Sequence, residues 1–179
     1  AVDQVSIVEV IRQHVAAVPD PSLHAGLRES IAAIRRGELQ KNIVWCLHAG
    51  LAAVWAKAVD DATLCADRVA QAGTRTDWAT SASAWLHGLI LEAAGDGKGA
   101  LAALRAATAA TITSMPLYAA HFHVDHARVA HLMKDTQAAA RSLELAATTY
   151  QQLGATSYLK RVDEIRRNTE SIRVAQTLA

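Results

Sequence analysis

A regular spacing between two stretches of the chain constrains its fold more than any other feature of the sequence. Asp96 and Asp135 each lie in a short turn sequence, and they are 39 positions apart. The apolar residues that follow them repeat at the same offset, in the pairs Ala100 and Ala139, Leu104 and Leu143, and Ala107 and Ala146. Self-similarity at a fixed period is the signature of a repeat protein, whose units cannot bury their apolar faces alone. The sequence therefore predicts stacked copies of one motif.

Apolar residues recur with helical spacing along the chain, and no stretch alternates as a strand would. Capping and turn residues divide this pattern into about nine helices, the first at about residues 3–18. We expect an all-α fold, a superhelix of stacked antiparallel helix hairpins. The expected units are one domain, residues 1–179, its clearest repeats, residues 77–115 and 116–154, and a terminal helix, residues 156–178.

The composition suits closely packed helices and argues against several classes of protein. Aromatic residues make up 4% of the chain, so the core must be built mainly from alanine and aliphatic side chains. Eighteen Lys and Arg oppose 17 Asp and Glu, and this balance leaves no net field to attract nucleic acid or an anionic membrane. The apolar runs are too short to span a bilayer and no leader pattern is found, so we expect a cytoplasmic protein.

The cysteine and tryptophan positions favour structural roles. Cys46 and Cys65 lie in apolar helical patterns without the spacing of a disulfide framework or a zinc site, so we expect buried, unreactive thiols. Tryptophan can mark a binding surface or fill the space between alanine-rich helices, and the apolar surroundings here favour the core. The four tryptophans are Trp45, Trp55, Trp78 and Trp85.

The second half of the chain resembles the tetratricopeptide repeat family. Small and large residues fall on that family's consensus positions, with Trp85 one residue beyond the usual aromatic position; they are Gly88, Gly95, Ala100, Leu104 and Ala107. The spacing of 39 is longer than the family's usual period of about 34 residues. The resemblance covers about residues 77–153, and it implies helix hairpins stacked around an extended concave groove that binds a partner.

The C-terminal sequence resembles the last helical repeat of large bacterial signalling ATPases of the MalT type. The segment of residues 146–155 runs into Tyr158, Arg161 and Ile165 in the manner of that repeat. In those regulators a repeat array precedes a LuxR-family DNA-binding domain, and similar arrays occur in some bacterial kinases and cyclases. The resemblance implies a regulatory array that passes a binding event to a neighbouring domain of a longer parent chain. It carries over neither ATPase nor DNA-binding activity, because the sequence contains neither of those domains.

Residues 121–126 match the H-x-H-x-D-H metal motif of the metallo-β-lactamase fold, with His121, His123, Asp125 and His126 as the candidate ligands. In that fold the motif is a loop after a strand, where the ligands can converge on a metal ion. Here the surrounding pattern is helical, which places the first and third candidates on one side and the second and fourth away from it. The alternatives are a metal-dependent hydrolase, a surface site of His123 and His126, a pair of His121 and Asp125, and a packing or groove-lining role.

Two further patterns lack the context that their chemistry needs. Gly95 to Ala100 has the G-x-G-x-x-A spacing of a dinucleotide site, but it follows a helix instead of a strand, so we interpret it as an inter-helix turn. Basic residues such as Arg35 and Arg166 alternate with acidic ones, as on a solvated helix face, so nucleic-acid binding is not expected of this segment.

Together these patterns predict a regulatory or scaffold module that is not an enzyme and needs no cofactor or metal ion. Its partner would be a protein, a peptide or a small effector in the concave groove, and membrane binding is not expected. The terminal helix would cap the last repeat, pair with a second copy in a homodimer, or connect to the next domain. An alternative from another class is a helical sensor domain with a pocket for a small molecule. The candidate groove residues are Trp85, His87, Tyr118, His121, His123 and His126.

Overall fold

The structure is a computed structural model that describes residues 30–37, 43–72, 77–110 and 112–177. These ranges contain helices and no β-strand, which confirms the all-α prediction. Residues 30–35 are helical, and a turn follows at Arg36 and Gly37. The predicted first helix, residues 3–18, lies outside the described residues. The complete helices are α1 (Ile43–Trp55), α2 (Val59–Ala72), α3 (Asp77–Ala93), α4 (Gly97–Ala109), α5 (Pro116–Leu132), α6 (Thr136–Gln152), a 3-10 helix (Thr156–Tyr158) and α7 (Leu159–Thr177).

Successive helices pack against each other as antiparallel neighbours. The pairs α1–α2, α3–α4 and α5–α6 form three hairpins, and α7 packs mainly on α6. Helix α5 also contacts α3 and α4 of the preceding hairpin. Each of the second and third hairpins thus packs against the hairpin before it.

The three hairpin turns share one backbone geometry. Lys57, Gly95 and Lys134 have φ values of 57°, 84° and 64°. The amide of the residue after each of them donates to the carbonyl five positions earlier, for example Asp135 N to Ala130 O at 2.9 Å. This is the Schellman arrangement, which satisfies the last carbonyls of the helix through one residue with positive φ.

Helices α4 and α6 begin in the same way. The carboxylate of Asp96 accepts a hydrogen bond from Gly99 N at 2.9 Å, and that of Asp135 accepts one from Ala138 N at 3.0 Å. Both aspartates are N-cap residues, which satisfy amides that have no partner within the helix. The spacing of these aspartates in the sequence therefore corresponds to equivalent helix starts.

Buried core positions also recur, with one equivalent set in each of the three hairpins. The equivalent buried positions are Ala62, Ala100 and Ala139, then Ala66, Leu104 and Leu143, then Val69, Ala107 and Ala146, all at most 1% exposed. The offset is 38 residues from the first hairpin to the second and 39 from the second to the third. The sequence pattern did not reveal the first copy, because Ala58 stands at the position of the two capping aspartates.

Small residues allow the helices to approach closely at another equivalent position, which holds Gly50, Gly88 and Ala127 in the three hairpins. A Cβ atom on Gly88 would lie 2.6 Å from Leu104 Cγ, so α3 and α4 could not keep their present contact with alanine there. Ala127 itself is fully buried. Each of the three hairpins thus has a small residue at this position.

Two apolar clusters share helix α5. Phe122 and Val129 belong to the larger cluster, which spans α1 to α5, whereas Ala120 and Val124 belong to the smaller one with α6 and α7. Helix α5 therefore joins the two halves of the core. In the described part of the chain, no helix combines the length and the apolar character needed to cross a membrane.

Candidate partner-binding site

The H-x-H-x-D-H segment lies within helix α5, whose first turn contains Pro116. Proline suits this position because its ring presets the helical φ and the first turn needs no amide donor. The helix turns the motif's side chains in different directions, so they do not converge on one point. His121 and His126 bond to residues of α6, and Asp125 bonds to a residue of α3.

His121 lies in a buried aromatic group where α5, α6 and the 3-10 helix meet. Its Nδ1 is hydrogen-bonded to the hydroxyl of Tyr150 at 2.7 Å. Its ring also makes an edge contact with Tyr158, with 5.0 Å between the ring centroids. Burial, followed by the charge of Asp125, raises the pKa of Tyr150 above its usual value. The hydroxyl thus stays protonated as a neutral hydrogen-bond partner.

Asp125 connects α5 to α3 through a charged group that is mostly enclosed. The Nε1–H of Trp85 donates to its carboxylate at 2.8 Å, and the guanidinium of Arg128 donates to the other oxygen at 3.2 Å. Arg128 in turn forms two hydrogen bonds to the carboxylate of Glu92 on α3. Burial lowers the pKa of Arg128, but the charges of Asp125 and Glu92 outweigh it, so the pKa rises above its usual value. This arginine therefore stays charged.

His126 and His123 lie one helical turn apart on the side of α5 away from that charged group. His126 Nδ1 is hydrogen-bonded to Ser142 Oγ at 2.7 Å. Burial, followed by the charge of Arg105, lowers the pKa of His126. Burial, followed by His126, lowers the pKa of His123 to about 4. Both rings are therefore neutral at neutral pH.

Tyr118 connects α5 to α1. Its hydroxyl is hydrogen-bonded to Nε2 of His48 at 3.1 Å, and its ring stacks on Trp78 of α3. Burial lowers the pKa of His48 to about 4 and raises that of Tyr118 to about 12. The contact is thus another neutral pair of histidine and hydroxyl.

The metal motif does not form a ligand set in this arrangement. Three of its four side chains bond to other residues: His121 to Tyr150 and His126 to Ser142, both on α6, and Asp125 to Trp85 on α3. Over the described ranges, no group of three or more His, Cys, Asp and Glu side chains is placed to hold a metal ion. The helix keeps apart the residues that a loop would bring together. The segment therefore does not form the metal site that the hydrolase alternative needs.

The predicted groove residues divide by exposure. Four of them are at most 9% exposed, namely Trp85, Tyr118, His121 and His126. A partner could reach these only if the helices moved apart. His87 on α3 and His123 on α5 are partly exposed, and they remain the candidates for direct contact.

Exposed and partly exposed residues of α3 and α5 form what we call the accessible strip: Thr80, which is exposed, and Ala84, His87, Ala119 and His123, which are partly exposed. On α3 these residues recur at helical spacing along one side. The two members at positions 80 and 84 have equivalents 39 residues later at 119 and 123. None of the five carries a fixed charge, so the strip suits a partner surface of low charge. The repeat spacing could have identified Thr80, Ala84 and Ala119, which the sequence analysis did not name.

The cysteines and most tryptophans lie in the core, as predicted. Cys46 and Cys65 are both buried, and burial raises the pKa of Cys65 to about 12. A thiol that stays protonated is a poor nucleophile. Trp45, Trp78 and Trp85 are buried, whereas Trp55 is partly exposed.

No protein-family model matches the chain, and no curated protein or solved structure matches it.

Proposed function

We propose that this chain is a non-catalytic module of tetratricopeptide-like hairpins that binds a protein or peptide within a larger bacterial signalling or transcription-control protein. The observation that supports this most directly is the threefold recurrence of one hairpin, with equivalent turns at Lys57, Gly95 and Lys134. Stacked hairpins present an extended surface built from equivalent positions, which suits an elongated partner. The accessible strip is the part of that surface that we assign to binding.

The state of the polar side chains also supports a binding role. Asp125, His121 and His126 are the groups most suited to acid, base or metal chemistry, and each has a hydrogen-bonded partner inside the fold. Acid and base catalysis needs a titratable group that can reach a substrate. These groups instead hold α5 against its neighbours.

Site-specific photocrosslinking tests this proposal. A photoreactive residue is placed at Ala84 or at His123 on the strip, and at Ala102 or Glu144 as controls on exposed faces of the second helices. We expect one and the same partner to be captured from both strip positions, and not from the controls. The partner is then purified, and the substitution Ala84→Arg should weaken its binding about tenfold or more, because a charge would enter an uncharged contact.

Capture from the control positions alone would contradict the assignment of the strip. Equal binding by the Ala84→Arg variant and the unmodified chain would contradict it as well. Turnover of a hydrolase substrate that is lost in His123→Ala would contradict the non-catalytic proposal itself.

A further inference from the structure

The two histidines His123 and His126 occupy a position that favours their neutral form. His126 is 5% exposed. Its Nε2 and the Nδ1 of His123 are buried and have no hydrogen-bond partner among the described residues. A buried polar atom without a partner destabilises the state that contains it. The contact of α5 with its neighbours on this side is therefore a weak point of the fold.

The charges around this pair would oppose protonation. Arg105 of α4 and Arg141 of α6 both lower the pKa of His126, and Asp135 at the start of α6 raises it. The carboxylate of Asp135 is already paired with Arg105 at 3.6 Å. On the other side of α5, Glu92 and Asp125 are held by Arg128. A proton on His126 would thus place a positive charge beside two arginines and beside His123.

We propose that the contact of α5 with α4 and α6 is an acid-sensitive joint, which opens when His123 and His126 take up protons. The open state binds protons more readily than the closed one, because burial holds the closed pKa of both histidines below the ordinary value. Opening is therefore favoured as the pH falls below about 6.5, and it is suppressed above that value. This regulation goes beyond the proposed partner binding and does not depend on the partner's identity.

Opening would expose the small apolar cluster between α5 and α6, which includes Ala139 and Leu143. It would also free His123, which belongs to the accessible strip. The residues that α5 contributes to the larger cluster are Tyr118, Phe122 and Val129, and all its other buried members precede α5. The first two hairpins should therefore stay folded while the third opens.

Hydrogen exchange followed by mass spectrometry at about pH 7 and about pH 5, corrected for the intrinsic rate, tests the joint on the full chain. We expect peptides from α5 and α6 to lose about tenfold or more of their protection at the lower pH, and those from α1 to α3 to lose clearly less. His126→Gln should reduce the loss, because the amide can bond to Ser142 but cannot take up a proton, and His123 should account for the response that remains. His87→Gln, on the accessible strip, is the matched control and should respond to acid as the unmodified chain does.

A second variant keeps the proposal testable if His126→Gln does not fold. Arg141 is exposed, and Arg141→Gln should raise the closed pKa of His126 and so reduce the loss of protection at low pH. Arg166→Gln, on α7, is its control. Equal loss of protection in all helices, unchanged protection in α5 and α6, or an undiminished acid response in both His126→Gln and Arg141→Gln would overturn the proposal.

Discussion

Helix α5 makes polar contacts of two different kinds with two of its neighbouring helices, α3 and α6. Toward α3, Asp125 and Arg128 form an ionic group with Glu92 and the indole of Trp85. Toward α6, His121 bonds to a tyrosine hydroxyl and His126 to a serine hydroxyl, and neither hydroxyl carries a charge at neutral pH. Removing the partner of an enclosed charge lowers the stability of the fold strongly. A hydrogen bond between neutral groups adds little stability, and at a histidine it also depends on whether the ring is protonated. The contact of α5 with α3 can therefore be strong, whereas its contact with α6 depends on the protonation of the histidines.

Loss of the central carboxylate should have the largest effect. Asp125→Ala would remove the carboxylate oxygens that the indole of Trp85 and Arg128 contact, and Arg128 would keep only the carboxylate of Glu92. Breaking such an enclosed pair costs about 3 to 5 kcal/mol of unfolding free energy, which urea denaturation at neutral pH would measure. Asp125→Asn keeps an oxygen acceptor for Trp85 and should cost less. A loss below about 1 kcal/mol for the alanine variant would show that the charged contact does not hold α3 and α5 together.

The pH dependence of global stability should show the titratable contacts. His48, which bonds to Tyr118, has its pKa lowered to about 4 by burial. The unfolded chain, with a histidine pKa of about 6.5, binds more protons between these values, so the unfolding free energy falls as the pH decreases through that window. Between pH 7 and pH 5 this histidine alone should contribute a loss of about 2 kcal/mol.

Denaturation at a series of pH values measures this slope, and His48→Gln should make it shallower. An equal slope in the variant and the unmodified chain would show that His48 is not buried as a neutral ring. The charge of Arg128 in the ionic contact of α5 with α3 should not contribute to this slope, because Arg128 stays charged throughout this pH range.

Removal of a single neutral bond should have the smallest effect. Ser142→Ala deletes the hydroxyl that bonds to His126 at 2.7 Å, and we expect a loss of about 1 kcal/mol at neutral pH. Thr148→Ala, on the exposed face of α6, should change the stability by less than about 0.5 kcal/mol. A loss from Ser142→Ala as large as that from Asp125→Ala would remove the distinction between the two sides of α5.

The sequence predicted the helical fold better than it predicted the site, for a physical reason. Helix ends depend on neighbours in the chain, and a residue such as Asp96 caps an amide only three positions away. The partners of α5 come from distant positions, since Tyr118 and His48 are 70 residues apart and Arg128 and Glu92 are 36 apart. Helical periodicity gives the side of α5 on which His126 lies, but it does not reveal that Ser142 faces it.

Equivalent positions are 38 residues apart between the first two hairpins and 39 apart between the last two, and this difference indicates where the chain can accept additional residues. The turn and core positions keep their mutual spacing within all three hairpins, so the additional residue lies between hairpins. Helices α2 and α3 are separated by residues 73–76, whereas α4 and α5 are separated by residues 110–115. Lengthening such a connection costs little, about 0.6 kcal/mol for each doubling of its length. Insertions and inserted domains should therefore be tolerated at the borders between hairpins, where they can add new binding elements without altering the packed units.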